Sequence, residues 1–385
     1  MKPVGDFFRK IETYDVRNKS ILSKERVLSA DALRGFDMFW IMGADMAFKG
    51  IDNIFHNRLS AFLKEQMDHV EWFGFHFYDI IMPLFLFLVG FSMVYSYRKR
   101  LSEAVSDRPV WKHTIKRIII LWILGMMIQG NLLSYDPEKI KYYTNTLQAI
   151  AAGYLIATVF ILYLPVKHQI SATAALLLVY WAILALIPVG GTTAGAYTPE
   201  GNVAFYVERA VMGKHLGWGT YTWIISSLNF GATVMLGVFS GYMMQADKPK
   251  MLKFRNYLIY ATFLILLALM MDHWHPIIKK IWTSSFVLFS GGICVLMLAV
   301  FYLAIDVLGW RKGIKWMIVL GSNAIAGYVA WHLFESQFVG MAEVFLKGLL
   351  PWIEDGYETM RYLGGFLIIY LILWYMYKNK SFIKI

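Results

Sequence analysis

Apolar runs about twenty residues long follow one another along nearly the whole chain, separated by short polar or basic segments. They fall at about 30–49, 77–97, 115–134, 145–164, 170–188, 224–244, 254–272, 283–306, 314–334 and 361–377. Each is long enough to cross a bilayer as a helix. The stretch 337–353 is shorter and carries Glu343 and Lys347; it reads as an interfacial helix, or as an eleventh span if it crosses. The pattern predicts an all-α fold, a polytopic integral membrane helix bundle with ten transmembrane helices. No internal repeat and no low-complexity tract interrupts it.

Composition agrees with the pattern. The 385 residues are 58% hydrophobic and only 16% charged, against about 25% charged in soluble domains. Fourteen Trp and 23 Tyr suit aromatic belts at the two membrane surfaces. No polar segment is long enough for a separate soluble domain. The chain therefore divides into a basic N-terminal segment, 1–27, and one transmembrane domain, 28–385. Cys294 is the sole cysteine, so no intrachain disulfide can form and redox compartment is not legible.

The net charge of +11 changes meaning once the spans are placed. With ten spans and a cytoplasmic N-terminus, 25 of the 37 Lys and Arg fall in cytoplasmic segments and 11 on the other side. Arg34 lies inside the first span. The positive-inside bias puts both termini in the cytoplasm, and no nucleic-acid partner is needed to explain the charge. The segment 49–75 and the long loop 189–223 are then external. Segment 1–27 lacks the apolar core of a cleavable signal peptide.

The first span, "LSADALRGFDMFWIMGAD", carries Asp31, Arg34, Asp37 and Asp45. A charge at the centre of a transmembrane helix costs roughly 2.5 kcal/mol or more. On a regular helix Asp31, Arg34 and Asp45 project within about 60° of one another, with Asp37 about 60° further round. Asp31 and Arg34 can pair at i and i+3. The four together predict a polar stripe lining a cavity rather than an interfacial cap. The second span opens on His76 and Asp79, also three apart, with Pro83 four residues on. His69 stands just before it, near Trp72, between the helix ends that bring Asp45 and Asp79. A loop histidine between two carboxylates can act as general base or as nucleophile.

At these residues the sequence resembles a known family. Residues 26–35, R-x-x-S-x-D-x-x-R-G, are similar to the opening of the heparan-α-glucosaminide N-acetyltransferase family of transmembrane acetyltransferases, its bacterial inner-membrane members above all. Some of those are also described as N-acetylglucosamine-related transporters. Residues 79–90, D-x-x-x-P-x-F-x-F-x-x-G, resemble its second-span signature. "NTLQAIAAGYLIAT", "GNVAFYVERAVMGKHL", "GATVMLGVFSG" and "GSNAIAGYVAWHL" resemble later segments in the same order. Three positions depart from the family pattern. Asp45 stands where Asn is usual, Ala149 replaces an arginine, and Thr220 to Trp223 replace an acidic D-P-E-G.

The resemblance implies transfer of acetyl from cytoplasmic acetyl-CoA to the amine of an amino sugar on the outer side, with His69 catalytic and a homodimer as the assembly. Asp45 or Asp79 would orient His69, which is read as general base. Asp31, Arg34, Lys116, Arg117, Gln148 and Asn323 are the candidate acetyl-CoA contacts. Trp72, His76, Asn202 and Glu208 are the candidate acceptor contacts, Glu208 with Arg209 alternatively ordering the long loop. Asn323, or a Trp or Tyr near His69, is the candidate oxyanion donor. His273 and His275 lack the further ligands of a zinc site, so no metal is expected. Two rivals stay open: a transporter for an amino sugar or N-acetylglucosamine, and an acyltransferase acting on a larger exported glycan.

Overall fold

The computed structural model describes residues 27–103 and 106–383; their regular structure is all helical, with no strand among them. The predicted cytoplasmic segment 1–27, Val27 apart, and Arg26 of the opening motif lie outside the described residues. The helices are α1 (Leu28–Phe39), α2 (Asp45–Phe55), α3 (Arg58–Gln66), α4 (Ile81–Glu103), α5 (Arg108–Ile128), α6 (Thr146–Tyr163), α7 (Val166–Leu186) and α8 (Val203–Met212). There follow α9 (Ser227–Gln245), α10 (Lys250–Asp272), α11 (Ser284–Tyr302), α12 (Lys315–Ser322), α13 (Ala324–Leu346) and α14 (Tyr357–Lys378). A large buried apolar core runs from Ala30 in α1 to Leu373 in α14, with two smaller clusters, one around Tyr180, Val203 and Ile281 and one around Ala32 and Ile305.

Six of these helices are long and apolar enough to cross a membrane: α4 with the turn before it, α6, α7, α10, α11 and α14. A seventh crossing would be the pair α12 and α13, bent by 78°. Fewer stretches qualify than the ten predicted, for three separate reasons. The first is broken at a π turn, Trp40–Ala44, where Gly43 takes φ +94°. The helix α5 carries Lys112, Lys116 and Arg117 in its first half. In α9 every residue from Asn229 to Gln245 is buried by protein. A helix enclosed by other helices needs small side chains for close approach more than it needs apolarity toward lipid.

Glycines set the tightest contacts. A Cβ on Gly90 of α4 would lie 1.9 Å from the Val234 carbonyl oxygen of α9, and one on Gly237 of α9 would lie 1.9 Å from that of Phe87. The two backbones touch, and only hydrogen fits between them. Gly35 of α1 meets Met317 of α12 in the same way, at 1.7 Å. The stretch 337–353 is not a separate element; it continues α13 beyond the non-helical Phe334, then passes into the short turn Lys347–Trp352.

The break at Gly43 also alters the predicted polar stripe. Asp31 and Arg34 pair at 3.5 Å, as their spacing suggests. Asp37 is fully buried and both its carboxylate oxygens lack a hydrogen-bond partner. Asp45 begins a new helix beyond the kink and faces a different cavity. The four groups form two separate sites and one enclosed carboxyl, because a π turn does not keep the 100° step on which a single stripe depends.

Candidate active site

Asp79 organises the loop that carries His69. It sits in a short turn, Phe77–Ile80, whose first flanking residue, His76, is extended. Its Oδ2 accepts the backbone N–H groups of His76 at 2.9 Å and Val70 at 3.3 Å. Two residues on either side of His69 and Asp79 are thereby pinned together. The Oδ1 atom lies 2.8 Å from His69 Nδ1 and 3.0 Å from Lys279 Nζ. Lys279 Nζ is itself 2.9 Å from His69 Nδ1. Pro83 falls in the first turn of α4, where a missing N–H costs no hydrogen bond.

The three groups differ in exposure, and that separates their roles. The Asp79 side chain is fully buried and Lys279 is 4% exposed, whereas His69 is 41% exposed. His69 and Lys279 line a cavity of about 770 Å³, and Asp79 stands behind them. Among the described residues His69 Nε2 has no hydrogen-bond partner, so it is the nitrogen left for a substrate. Enclosure in the cavity wall, and next the Lys279 charge, hold His69 below the ordinary histidine range despite Asp79. Its resting form near neutrality is the uncharged imidazole.

Across the cavity stand Asp45 and Glu335. Tyr78, which lines the same cavity as Asp45, has its ring 5.0 Å from that of His69. Glu335 faces the Asp45 charge and has no ion pair or hydrogen bond among the described residues. Tyr328 stacks on His332 at 4.2 Å and, with Trp331, closes one wall.

At the other end of the bundle a smaller cavity of about 240 Å³ is lined by Arg34, Ser92 and Arg117. Arg34 Nη2 donates to Ser92 Oγ at 2.6 Å, and the Arg117 guanidinium lies 4.8 Å over the Tyr154 ring. Phe85 lines both cavities. It is 5% exposed and its ring is 6.2 Å from that of Tyr328. Phe85 is thus shared by a guanidinium-lined chamber and the His69 chamber.

The model of a family described as "Heparan-alpha-glucosaminide N-acetyltransferase, catalytic" matches residues 26–255. The chain belongs to this family. Among curated proteins it is similar to the heparan-alpha-glucosaminide N-acetyltransferase of Mus musculus, 21% identical over 377 residues, covering 82% of this chain and 56% of the relative. The Homo sapiens protein of the same name is 22% identical over 381 residues, covering 82% and 55%. The chain therefore spans about half the length of the curated relatives it matches.

The structure brings His69, Asp79 and Asp45 to one end and Arg34, Arg117 and Asp31 to the other. Asn323, at the bend between α12 and α13, accepts from Ile383 N–H at 2.9 Å and donates to the Ser381 carbonyl; it ties down the C-terminal strand of chain beside the smaller cavity. Gln148 is wholly buried and caps α6, accepting from the N–H groups of Thr144 and Asn145 and donating to the Tyr142 carbonyl. Lys116 is exposed and lines neither cavity. Trp72 donates to the Tyr197 carbonyl at 2.6 Å, and Asn202 caps α8.

His76 contacts the Asp68 carbonyl through Nδ1 at 3.0 Å. Glu208 accepts the N–H groups of Trp223 and Ile224, both at 3.0 Å. Burial raises the Glu208 carboxyl above its ordinary range. Since Trp223 lines the larger cavity, Glu208 reaches it through the backbone of a wall residue.

His275 is fully buried between the Tyr197 hydroxyl on Nδ1 and the Ser284 N–H on Nε2. Burial pushes it down to about 4. Both nitrogens are engaged, and no cluster of three His, Cys, Asp or Glu suited to a metal occurs among the described residues. Sequence reasoning missed Lys279, Glu335, Tyr78 and Phe85. Lys279 and Glu335 lie beyond the matched residues 26–255, and "IKKIW" gave no sign that one lysine of the pair is buried.

Proposed function

We propose that this chain is a transmembrane N-acetyltransferase that moves acetyl from acetyl-CoA, bound at the Arg34 and Arg117 end, to the amine of a glucosamine-type sugar at the His69 end. The observation that carries the reading is the pair of cavities meeting at Phe85, one lined by arginines and the other by a carboxylate-backed histidine. Guanidinium groups match phosphate oxygens in charge and fork geometry, so the smaller chamber suits the nucleotide end of acetyl-CoA. A narrow acyl arm displacing Phe85 would bring its thioester toward His69. The excess of Lys and Arg in segments 98–117, 311–315 and 378–384 supports placing the Arg34 end in the cytoplasm, with ten crossings in all, in the inner membrane of a bacterium.

The residues fit a direct transfer. Asp79 accepts a hydrogen bond from the Nδ1–H of His69 and so leaves the Nε2 lone pair toward the cavity. His69 removes a proton from the sugar nitrogen as that nitrogen attacks the thioester carbonyl. The carbon–sulfur bond breaks, and His69 can return the proton to the departing thiolate. Free thiol and amide are the products. Proton transfer by a positioned group of this kind contributes about 10²–10⁴-fold in rate. Asp45 and Glu335 would hold the acceptor as its ammonium form, and one of the two carboxylates would take its extra proton to free the nitrogen lone pair before the attack.

The test is CoA thiol release by protein purified in detergent, with acetyl-CoA and with glucosamine present or omitted. Glucosamine-dependent release that disappears in a folded His69→Gln variant is the expected result. No release from folded wild type across a panel of amino sugars would overturn the enzyme and favour sugar transport, read next as uptake into proteoliposomes.

A further inference from the structure

His69 Nδ1, Asp79 Oδ1 and Lys279 Nζ form a triangle with sides of 2.8, 3.0 and 2.9 Å. A histidine oriented only by a carboxylate has two sides of such an arrangement; here a third group closes it. Nδ1 has one in-plane position, holding either a proton or a lone pair. With the proton on Nδ1, both His69 and Lys279 donate to Asp79, and Nε2 is free to accept. With the proton on Nε2, Lys279 donates to Nδ1, and the Nδ1 lone pair faces the carboxylate. The first arrangement satisfies the buried carboxylate with two donors, so it is the resting one.

When His69 takes a second proton, the two neighbours act in opposite directions. Asp79 attracts the imidazolium, and the Lys279 ammonium, less than 3 Å away, repels it. We propose that Lys279 is a positioning residue that counters Asp79, so that His69 gives up the proton it has taken instead of holding it as a stable ion pair. This inference rests on the acetyl-transfer reading for its purpose but not for its geometry. In the transfer step the N–H proton of the acceptor goes to Nε2, and the same proton leaves Nε2 for the CoA sulfur. A histidine locked as imidazolium by Asp79 alone would complete the first move and obstruct the next cycle.

Other charges facing His69 are fewer and weaker in their claim. Lys49 of α2 points toward it but is paired with Asp68 at 2.7 Å. Asp45 stands across the cavity behind the Tyr78 hydroxyl, and Tyr221 from the long loop lines the same wall. Among the described residues, Lys279 is the one cation within hydrogen-bond distance of the ring. Burial disfavours its charge and Asp79 supports it.

Diethyl pyrocarbonate reacts with the uncharged imidazole, so its rate at His69, followed by peptide mass spectrometry from pH 5 to 8, reads the proton on the ring without substrate. Lys279→Met and Lys279→Gln remove the repelling charge, whereas Lys279→Arg keeps it. The two neutral variants should slow modification at pH 6 by about three- to fivefold, as expected for a shift of about one unit, and Lys279→Arg should restore the wild-type profile. Unchanged profiles in the neutral variants, or a change in Lys279→Arg as large as theirs, would overturn the proposal. Should neither neutral variant fold, Asp79→Asn/Lys279→Met compared with Asp79→Asn isolates the same charge without an unpaired buried carboxylate, and equal profiles in those two would overturn it. Loss of acetyl transfer in all forms with the expected shift intact would reject the enzyme reading and leave the inference standing.

Discussion

His69 and Asp79 lie ten residues apart in sequence, and their side chains meet at 2.8 Å through Nδ1 and Oδ1. The contact fixes which nitrogen faces the cavity. Asp79→Asn keeps the volume and can still bond the ring, but its amide can present N–H to Nδ1 and reverse the tautomer. Acetyl transfer should fall by about 10²–10⁴-fold with acetyl-CoA affinity unchanged. Steady-state rates set against equilibrium binding of acetyl-CoA check this; an equal loss in both would mean the variant has disturbed the fold.

The pH dependence has a definite sign. His69 is held below its ordinary value, by enclosure and by Lys279, and the working base is the neutral ring. Activity should therefore be full above the His69 titration and fall as pH drops through it. The acidic limb of kcat/KM is expected below the usual histidine value of about 6.5. A limb at or above that value would show that Asp79 outweighs its opponents.

Much of this architecture could be read from the chain, and the exceptions have causes. The runs that became α4, α6, α7, α10, α11 and α14 are apolar over the length of a membrane crossing, so hydropathy finds them. It also finds the run that became α9, without showing that protein encloses it from Asn229 to Gln245, and it cannot see the π turn at Trp40–Ala44, where one glycine with positive φ redirects Asp45. His69, Asp45 and Asp79 were legible because they are close in sequence and sit at helix ends. Lys279 joins them from 200 residues away, and nothing local distinguishes it from Lys280. Gln148 and Asn202 show the converse: motif positions whose side chains cap α6 and α8, while the cavities lie elsewhere.

The glycine contacts make a stability prediction. Gly35→Ala would drive a Cβ against the Met317 carbonyl, a backbone atom that cannot rotate away. Overpacking of this kind costs about 1–3 kcal/mol, so the thermal midpoint in detergent should fall clearly. Gly340→Ala, in α13 with nothing within 4 Å of the added carbon, should leave it equal or slightly higher. Equal midpoints for both variants would mean that α1 and α12 pack less closely than described.

Phe85 lines both chambers, and shortening it should connect them. In Phe85→Ala, water from the His69 chamber would reach a thioester held at the arginine end. Acceptor-independent CoA release should rise relative to glucosamine-dependent release, alongside a loss of about 3–5 kcal/mol in stability from the vacated core volume. A ratio unchanged in folded Phe85→Ala protein would place the route for the acyl arm elsewhere.

Asp45 and Glu335 share one cavity and neither makes an ion pair among the described residues, an arrangement that like-charge repulsion disfavours until a positive group arrives. An acceptor ammonium is such a group. Glu335→Gln and Asp45→Asn should each raise KM for glucosamine, by about ten- to a hundredfold if each removes one charge-assisted hydrogen bond worth about 1.5–3 kcal/mol. Acetyl-CoA affinity should not change, because the arginine chamber is untouched. The two variants can also be told apart. Asp45 shares its wall of the cavity with Tyr78, whose ring lies 5.0 Å from that of His69, so its loss should also lower kcat. Glu335 has no such link to the histidine and should act on KM alone. A fall in kcat with no change in KM for Glu335→Gln would assign it to the chemistry of transfer and leave Asp45 as the sole anchor of the amine.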